Sequence, residues 1–155
     1  MKQVSNGRLR PRDAGREDFE ESWDEFFSAV RRARGRAARE QTDGLTLAQY
    51  QLLLPLRETP ELPVGELAIG AGIATPTATR MLDGLARGGI VTREPSSADR
   101  RVVNVRLTEK GDRLVRAKRE TVSAKRRAIY ASLSAREREQ AVSLLKRLAA
   151  AIEEL

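Results

Sequence analysis

From Arg16 onward apolar residues recur at three- and four-residue steps: Phe19, Trp23, Phe26, Phe27, Val30, Ala33 and Ala37. That period places them on one face and predicts an amphipathic helix over residues 16–43, with Glu20, Glu21, Asp24 and Arg31 opposite. All three Phe and the single Trp of the chain fall in this helix. The stripe fits either an ordinary helical core or burial against a helix of a second subunit. Residues 1–15 are polar with Gly, Pro and mixed charge, and read as a flexible N-terminal arm.

Thr46 is placed to cap a second helix whose apolar positions are Leu47, Tyr50, Leu53, Leu54 and Leu56, with Pro55 bending or shortening its last turn. Residues 57–63 form a connector containing Pro60 and Pro63. Val64–Ala71 predicts a short third helix, with Pro63 suited to its first turn and Gly70 and Gly72 ending it. A fourth helix starts at Thr75-Pro76, Thr75 as N-cap, and stops at Gly88-Gly89. At about 100° per residue, Ala78, Met81, Leu82 and Leu85 share its inner face. Pro76, Thr79, Arg80, Asp83 and Arg87 share the outer one. A short helix, a tight turn and a second helix with a polar outer face make a helix-turn-helix.

Two β-branched runs follow, Ile90–Arg93 and Arg100–Leu107, around the turn Glu94-Pro95-Ser96-Ser97-Ala98-Asp99. They predict a β-hairpin with Val103, Val105 and Leu107 facing inward and Arg101 at the tip. Thr108 caps a fifth helix reaching about Ala131, with a thin stripe of Leu114, Ala117, Thr121, Ala124 and Ala128. Its other faces carry Arg113, Arg116, Lys118, Arg119, Lys125, Arg126 and Arg127. Ser134-Ala135-Arg136-Glu137 is a capping box opening a sixth helix, with Ala141, Leu144, Leu145, Leu148, Ile152 and Leu155 on one face. The predicted fold is mainly α: about six helices plus a hairpin wing, a winged helix-turn-helix.

Composition narrows the chemistry. The chain has 155 residues, no Cys and no His. Disulfides, thiol sensing, the commonest general base and the commonest transition-metal ligands are therefore absent, which argues against an enzyme, a metal site or a cofactor. The formal charge is +7, but its excess lies in residues 108–155. Charge alone thus does not locate a nucleic-acid face. No apolar stretch has the length of a signal peptide core or a membrane span, so a soluble, cytoplasmic protein is expected.

The positions that carry chemistry are few. A winged helix on DNA needs donors near the start of its second helix, a cation at the wing tip and donors for phosphate. Thr75, Thr77 and Thr79 offer hydroxyls, beside backbone N–H groups at the helix N-terminus. Arg80 can reach a guanine edge or a phosphate; the plainer reading is a surface ion pair with Asp83 at i+3. At the wing, Asp99, Arg100 and Arg101 fit a minor-groove contact, with Asp99 holding the Arg101 guanidinium extended. The plainer reading there is a solvated turn.

Residues 45–111 resemble the multiple-antibiotic-resistance-regulator (MarR) family. The resemblance is carried by Leu45-Thr46-Leu47-Ala48-Gln49-Tyr50, by Val64-Gly65-Glu66-Leu67-Ala68 and by the run Thr75–Leu85. Its most specific part is Asp99-Arg100-Arg101 leading into Val105-Arg106-Leu107-Thr108-Glu109-Lys110-Gly111, similar to the family's wing signature. Ile69-Gly70 departs from the family's usual charged helix formers. The resemblance implies a homodimer joined through the first and the last two helices, each subunit carrying a winged helix. It implies binding to a palindromic operator on double-stranded DNA, usually as a repressor, and release by a small, often aromatic or phenolic, ligand. Arg101 would enter the minor groove, positioned by Asp99, while Thr77, Thr79 and Arg80 contact the major groove and phosphates. Trp23, Phe27 and Tyr50 are candidates for the ligand pocket, or plain core.

On this reading residues 16–43 form a dimerisation helix, 44–107 the DNA-binding lobe and 108–155 the C-terminal dimerisation helices. An alternative from another class is a winged-helix protein-interaction module without DNA binding; Arg80, Arg100 and Arg101 together speak against it.

Overall fold

The computed structural model describes residues 11–39, 44–96, 99 and 101–155. The chain divides into two compact units, Met1–Thr42 and Asp43–Leu155. The first unit contains one long helix, α1 (Pro11–Arg39). It begins five residues before the expected start, so the supposed arm over residues 1–15 is partly helical. A proline is well tolerated at the first helical position, where its missing N–H leaves no hydrogen bond unmade. Aromatic rings four residues apart line one side of α1. The Phe19 and Trp23 centroids are 5.7 Å apart and those of Trp23 and Phe27 4.7 Å. Phe26 meets Phe27 edge-on at 5.4 Å. Phe19 and Phe26 remain exposed.

The second unit opens with α2 (Leu47–Leu53). Thr46 caps it as its sequence predicts, and the structure adds a reciprocal box: Gln49 N–H donates to Thr46 Oγ1 (3.1 Å), and Thr46 N–H to Gln49 Oε1 (2.9 Å). Pro55 ends the α-helix, and the chain tightens into a single 3₁₀ turn over Leu54–Arg57. A short strand follows, β1 (Leu62–Pro63), leading directly into α3 (Val64–Gly70). Pro63 is thus the N-cap of α3 and not part of its first turn.

The fourth helix is α4 (Thr75–Arg87), its N-cap being Ala74 rather than Thr75. The Ala74 carbonyl accepts from Thr77 N–H (2.9 Å) and Ala78 N–H (3.1 Å), which brings Thr75 inside the first turn. Pro76 then stands second, still among positions whose N–H has no helical partner, so the shift costs no hydrogen bond. The inner face is as its period predicts: Ala78, Leu82 and Leu85 are buried.

Strands β2 (Val91–Pro95) and β3 (Val103–Leu107) form the hairpin, with Val91 opposite Leu107, Arg93 opposite Val105 and Pro95 opposite Val103. The wing is more than a hairpin. β1 adds to the other edge of β3 in a three-stranded antiparallel sheet of order β1-β3-β2, with Leu62 opposite Val105. A two-residue strand containing proline carries no period to read, and such a strand is tolerated at a sheet edge.

The core of this unit is a single cluster. Leu52, Leu53, Leu67, Leu82, Val105 and Val115 are sealed from solvent, joining the helix-turn-helix, the wing and α5 (Glu109–Ala131). The buried face of α5 is Gly111, Val115 and Lys118, with Leu114 and Val122 packed beside it. The expected stripe through Ala117, Thr121, Ala124 and Ala128 is displaced, and Lys118, expected on a solvated face, is 6% exposed. The larger side chains of Leu114, Val115 and Val122 bury more apolar area than the alanines, so they decide which way the helix faces. The Ser134–Glu137 box opens α6 (Ala135–Glu153) as expected. Among the described residues no helix is long and apolar enough to cross a membrane.

Candidate nucleic-acid interface

The turn between α3 and α4 is made by Gly72 at φ 64°, a backbone conformation that favours glycine. Around it Gly72 N–H donates to Ile69 O and Ile73 N–H to Ala68 O, each at 3.0 Å. These bonds close the end of α3 and aim the start of α4 outward. Thr75 and Arg80 are exposed there, and Thr77 and Thr79 are half-buried. Backbone donors at this N-terminus are fewer than the sequence implies. Pro76 has none, and Thr77 N–H is already turned back to Ala74. A phosphate at this end would therefore rely more on threonine hydroxyls and Arg80 than on the main chain.

Asp83 does not pair with Arg80. Its Oδ1 accepts from Nη1 of Arg93 on β2, tying the outward face of α4 to the wing. Arg80 is left exposed, facing away from the core. This is the geometry in which a guanidinium is available to a base edge or a phosphate.

The wing tip is a closed turn. Ser96 N–H donates to Val102 O (2.8 Å), Val102 N–H donates to Asp99 O (2.9 Å), and Asp99 Oδ1 accepts from the backbone N–H of Arg101 (2.9 Å). Asp99 thus orders the main chain at Arg101, where the sequence reading had it holding the guanidinium. A short side chain accepting from the N–H two residues on is the Asx-turn habit of aspartate. The Arg101 side chain is exposed. Arg100, the other wing cation expected to contact DNA, lies outside the described residues.

The base of the wing has a second ionic tie. The Glu61 carboxylate, just before β1, accepts from Asn104 Nδ2 and from Arg106 on β3. Neither Glu61 nor Arg93 stands out in the sequence, because their partners are 43 and 45, and 10, residues away. Tyr50, one of the three pocket candidates, is 6% exposed within the core cluster. Trp23 and Phe27 meet in a tilted ring contact along α1. Among the described residues no group of three or more acidic side chains could hold a metal ion.

Residues 45–103, from just before α2 to the first residue of β3, match the family model described as MarR family. Over these residues the chain is similar to the MarR family. Solved structures of the same architecture extend the likeness beyond the lobe. The YusO protein of Bacillus subtilis is 27% identical, with 92% of this chain and 99% of that chain covered at a TM-score of 0.65. A cysteine-to-serine mutant of MarR from E. coli, complexed with operator DNA, is 26% identical, covering 81% of this chain and 91% of that one, at a TM-score of 0.67. FabT of Streptococcus pneumoniae in complex with DNA shares the fold at a TM-score of 0.75 and 20% identity, over 89% of this chain and 97% of FabT.

Proposed function

We propose that this protein is a homodimeric repressor that binds a palindromic operator and is released by a small-molecule ligand. The match of residues 45–103 to the MarR family model and the likeness to a MarR–operator complex support a winged-helix, DNA-binding transcription regulator rather than an enzyme. The observation that carries the finer reading is the placement of Arg101. It is an exposed cation on a hydrogen-bonded turn, at the tip of a hairpin whose other strand is ion-paired to α4. A rigid, positive tip beside a helix presenting Thr75, Thr77, Thr79 and Arg80 suits a minor-groove and a major-groove contact on one duplex.

Dimerisation is supported by α6. Leu144, Leu145 and Ile152 are all at least half exposed, and a shallow groove lined by Leu144, Arg147, Leu148, Ala150, Ala151 and Glu154 runs along the helix. Two lobes related by a two-fold axis would present their α4 helices to successive major grooves about 34–36 Å apart. We assign residues 44–107 to DNA binding, and residues 16–43 and 108–155 to the dimer. Trp23, Phe27 and Tyr50 are our choice for the ligand-responsive region. The working compartment is the one that holds the DNA, the cytoplasm.

A footprint on the DNA upstream of the protein's own gene, repeated across a panel of small aromatic acids and phenols, tests the reading. Two protected half-sites that vanish with one ligand are expected. Arg101→Ala should lower affinity for the protected site about tenfold at fixed salt, the cost of one good groove contact. Unchanged binding by that variant removes the wing from the interface. No protection on any duplex would leave a winged-helix protein-interaction module as the reading.

A further inference from the structure

The Asp83–Arg93 ion pair joins the two elements that must meet one duplex together. Asp83 sits on the outward face of α4, three residues beyond Arg80, and Arg93 in the middle of β2, opposite Val105. The pair is partly sheltered: the Arg93 side chain is 22% exposed and that of Asp83 43%. The Nε of Arg93 is buried without a hydrogen-bond partner. The carboxylate of Asp83 at Nη1 is therefore the contact that fixes which way the guanidinium lies.

Beneath the pair the lobe is held by apolar burial of Ala78, Leu82, Leu85, Val91 and Val105, which does not depend on it. On the far side of the sheet, Glu61 braces β3 through Asn104 and Arg106. The sheet is thus gripped from two sides: β3 from the β1 edge, β2 from α4. From β2 the ordering continues to the tip. The β2–β3 ladder ends at Pro95–Val103, Ser96 N–H donates to Val102 O, and Asp99 holds the N–H of Arg101.

We infer that Asp83 and Arg93 are positioning residues for DNA recognition: their ion pair sets the angle between α4 and the wing, so that Arg80 and Arg101 reach their grooves at the same time. The inference rests on the DNA-binding reading above. Asp83 has a second effect that follows from its place. A carboxylate on the outward face of a recognition helix repels phosphates, and Arg93 offsets that charge without leaving the wing. A pair whose only task was stability would gain little at this exposure.

A double-mutant cycle separates positioning from stability. The probe is the duplex that the full-length wild-type protein enriches from random-sequence DNA, titrated by fluorescence anisotropy over a range of salt. Asp83→Asn should weaken binding about five- to tenfold and flatten the log–log salt slope by about one, as the wing loses its phosphate and groove engagement. In an Arg101→Ala background the same substitution should cost less than about twofold, because there is no longer a tip to aim. Arg93→Lys should recover part of what Arg93→Ala loses, since it keeps the charge but not the planar fork.

Equal losses in both backgrounds, or no loss in the wild-type background, overturn the inference. Circular dichroism melting checks that each variant is folded. If Asp83→Asn does not fold, the Arg93→Lys and Arg101→Ala cycle carries the same test with the same two outcomes. Failure of the wild-type protein to enrich any duplex would overturn the DNA-binding reading itself, and this inference with it, before any variant is compared.

Discussion

A Cβ built on Gly111 would stand 2.0 Å from the carbonyl oxygen of Ile90. The first turn of α5 is pressed onto the turn that ends α4, and three further contacts hold it there. Thr108 N–H donates to Ile90 O (3.1 Å), Thr108 Oγ1 to Gly89 O (2.7 Å), and Lys110 Nζ to Gly88 O (2.8 Å). These bonds satisfy carbonyls at the C-terminus of α4 and couple it to the start of the C-terminal helices. The close approach requires a residue with no side chain at position 111.

Gly111→Ala is expected to destabilise the lobe by about 1–3 kcal/mol, the usual cost of overpacking a filled site. In an exposed helix interior the same change would stabilise by roughly 0.5–1 kcal/mol. Urea unfolding followed by circular dichroism reads the sign directly. A neutral or stabilising result would mean that α5 can lift off the α4 turn without cost.

Asp99 orders the wing tip through the Arg101 N–H, so the acceptor matters more than the charge. Asp99→Ala should reduce operator affinity several-fold, on the order of the 1 kcal/mol net worth of one hydrogen bond. Asp99→Asn keeps an oxygen in place and should stay close to wild type. Equal losses for the two variants, measured by anisotropy at fixed salt, would show that the carboxylate charge is what the wing uses.

The exposed apolar face of α6 predicts a subunit contact. Leu145 is 60% exposed and Leu155 fully so. Burying each such leucine against a partner is worth about 1.5–3 kcal/mol. Leu145→Glu combined with Leu148→Glu should give a folded monomer by sedimentation velocity at micromolar concentration, with operator binding lost alongside. A variant that sediments as a dimer would place the contact elsewhere.

The α6 N-terminus should respond to acid. Side-chain and backbone hydrogen bonds from Ser134 hold the Glu137 carboxyl below the ordinary carboxylate value. A folded-state pKa below the unfolded one means the helix stabilisation is present above the usual carboxylate range and fades as pH falls through the lowered value. Glu137→Gln keeps an acceptor for the Ser134 N–H and loses this titration. Its α6 amide exchange should be the same at pH 6 and pH 3.5, while the wild-type amides exchange faster, after correction for intrinsic rates, at the lower pH. No difference between the two proteins would remove Glu137 as the source.

Features that depend on residues three or four apart were legible without coordinates. The cap at Thr46, the box at Ser134–Glu137, the inner face of α4 and the alternation along β3 all close within one turn or one strand. Their physics is local, so their residues are adjacent in sequence as they are in space. The wing signature Asp99–Gly111 belongs here too, since it spans one turn, one strand and one cap.

Elsewhere the partners are distant along the chain, and local pattern had no access to them. β1 exists because Leu62 meets Val105, Lys118 is covered because α5 rotates to bury Leu114, Val115 and Val122, and Asp83 turns from Arg80 to Arg93 because β2 passes beside α4. Even the N-cap of α4 moved by one residue, since a proline in the first turn accepts either register. The amino-acid order thus dictated the elements and the residue types at the proposed DNA face. How that face is aimed followed from packing, where side chains separated by 10 to 45 residues compete for the same contacts.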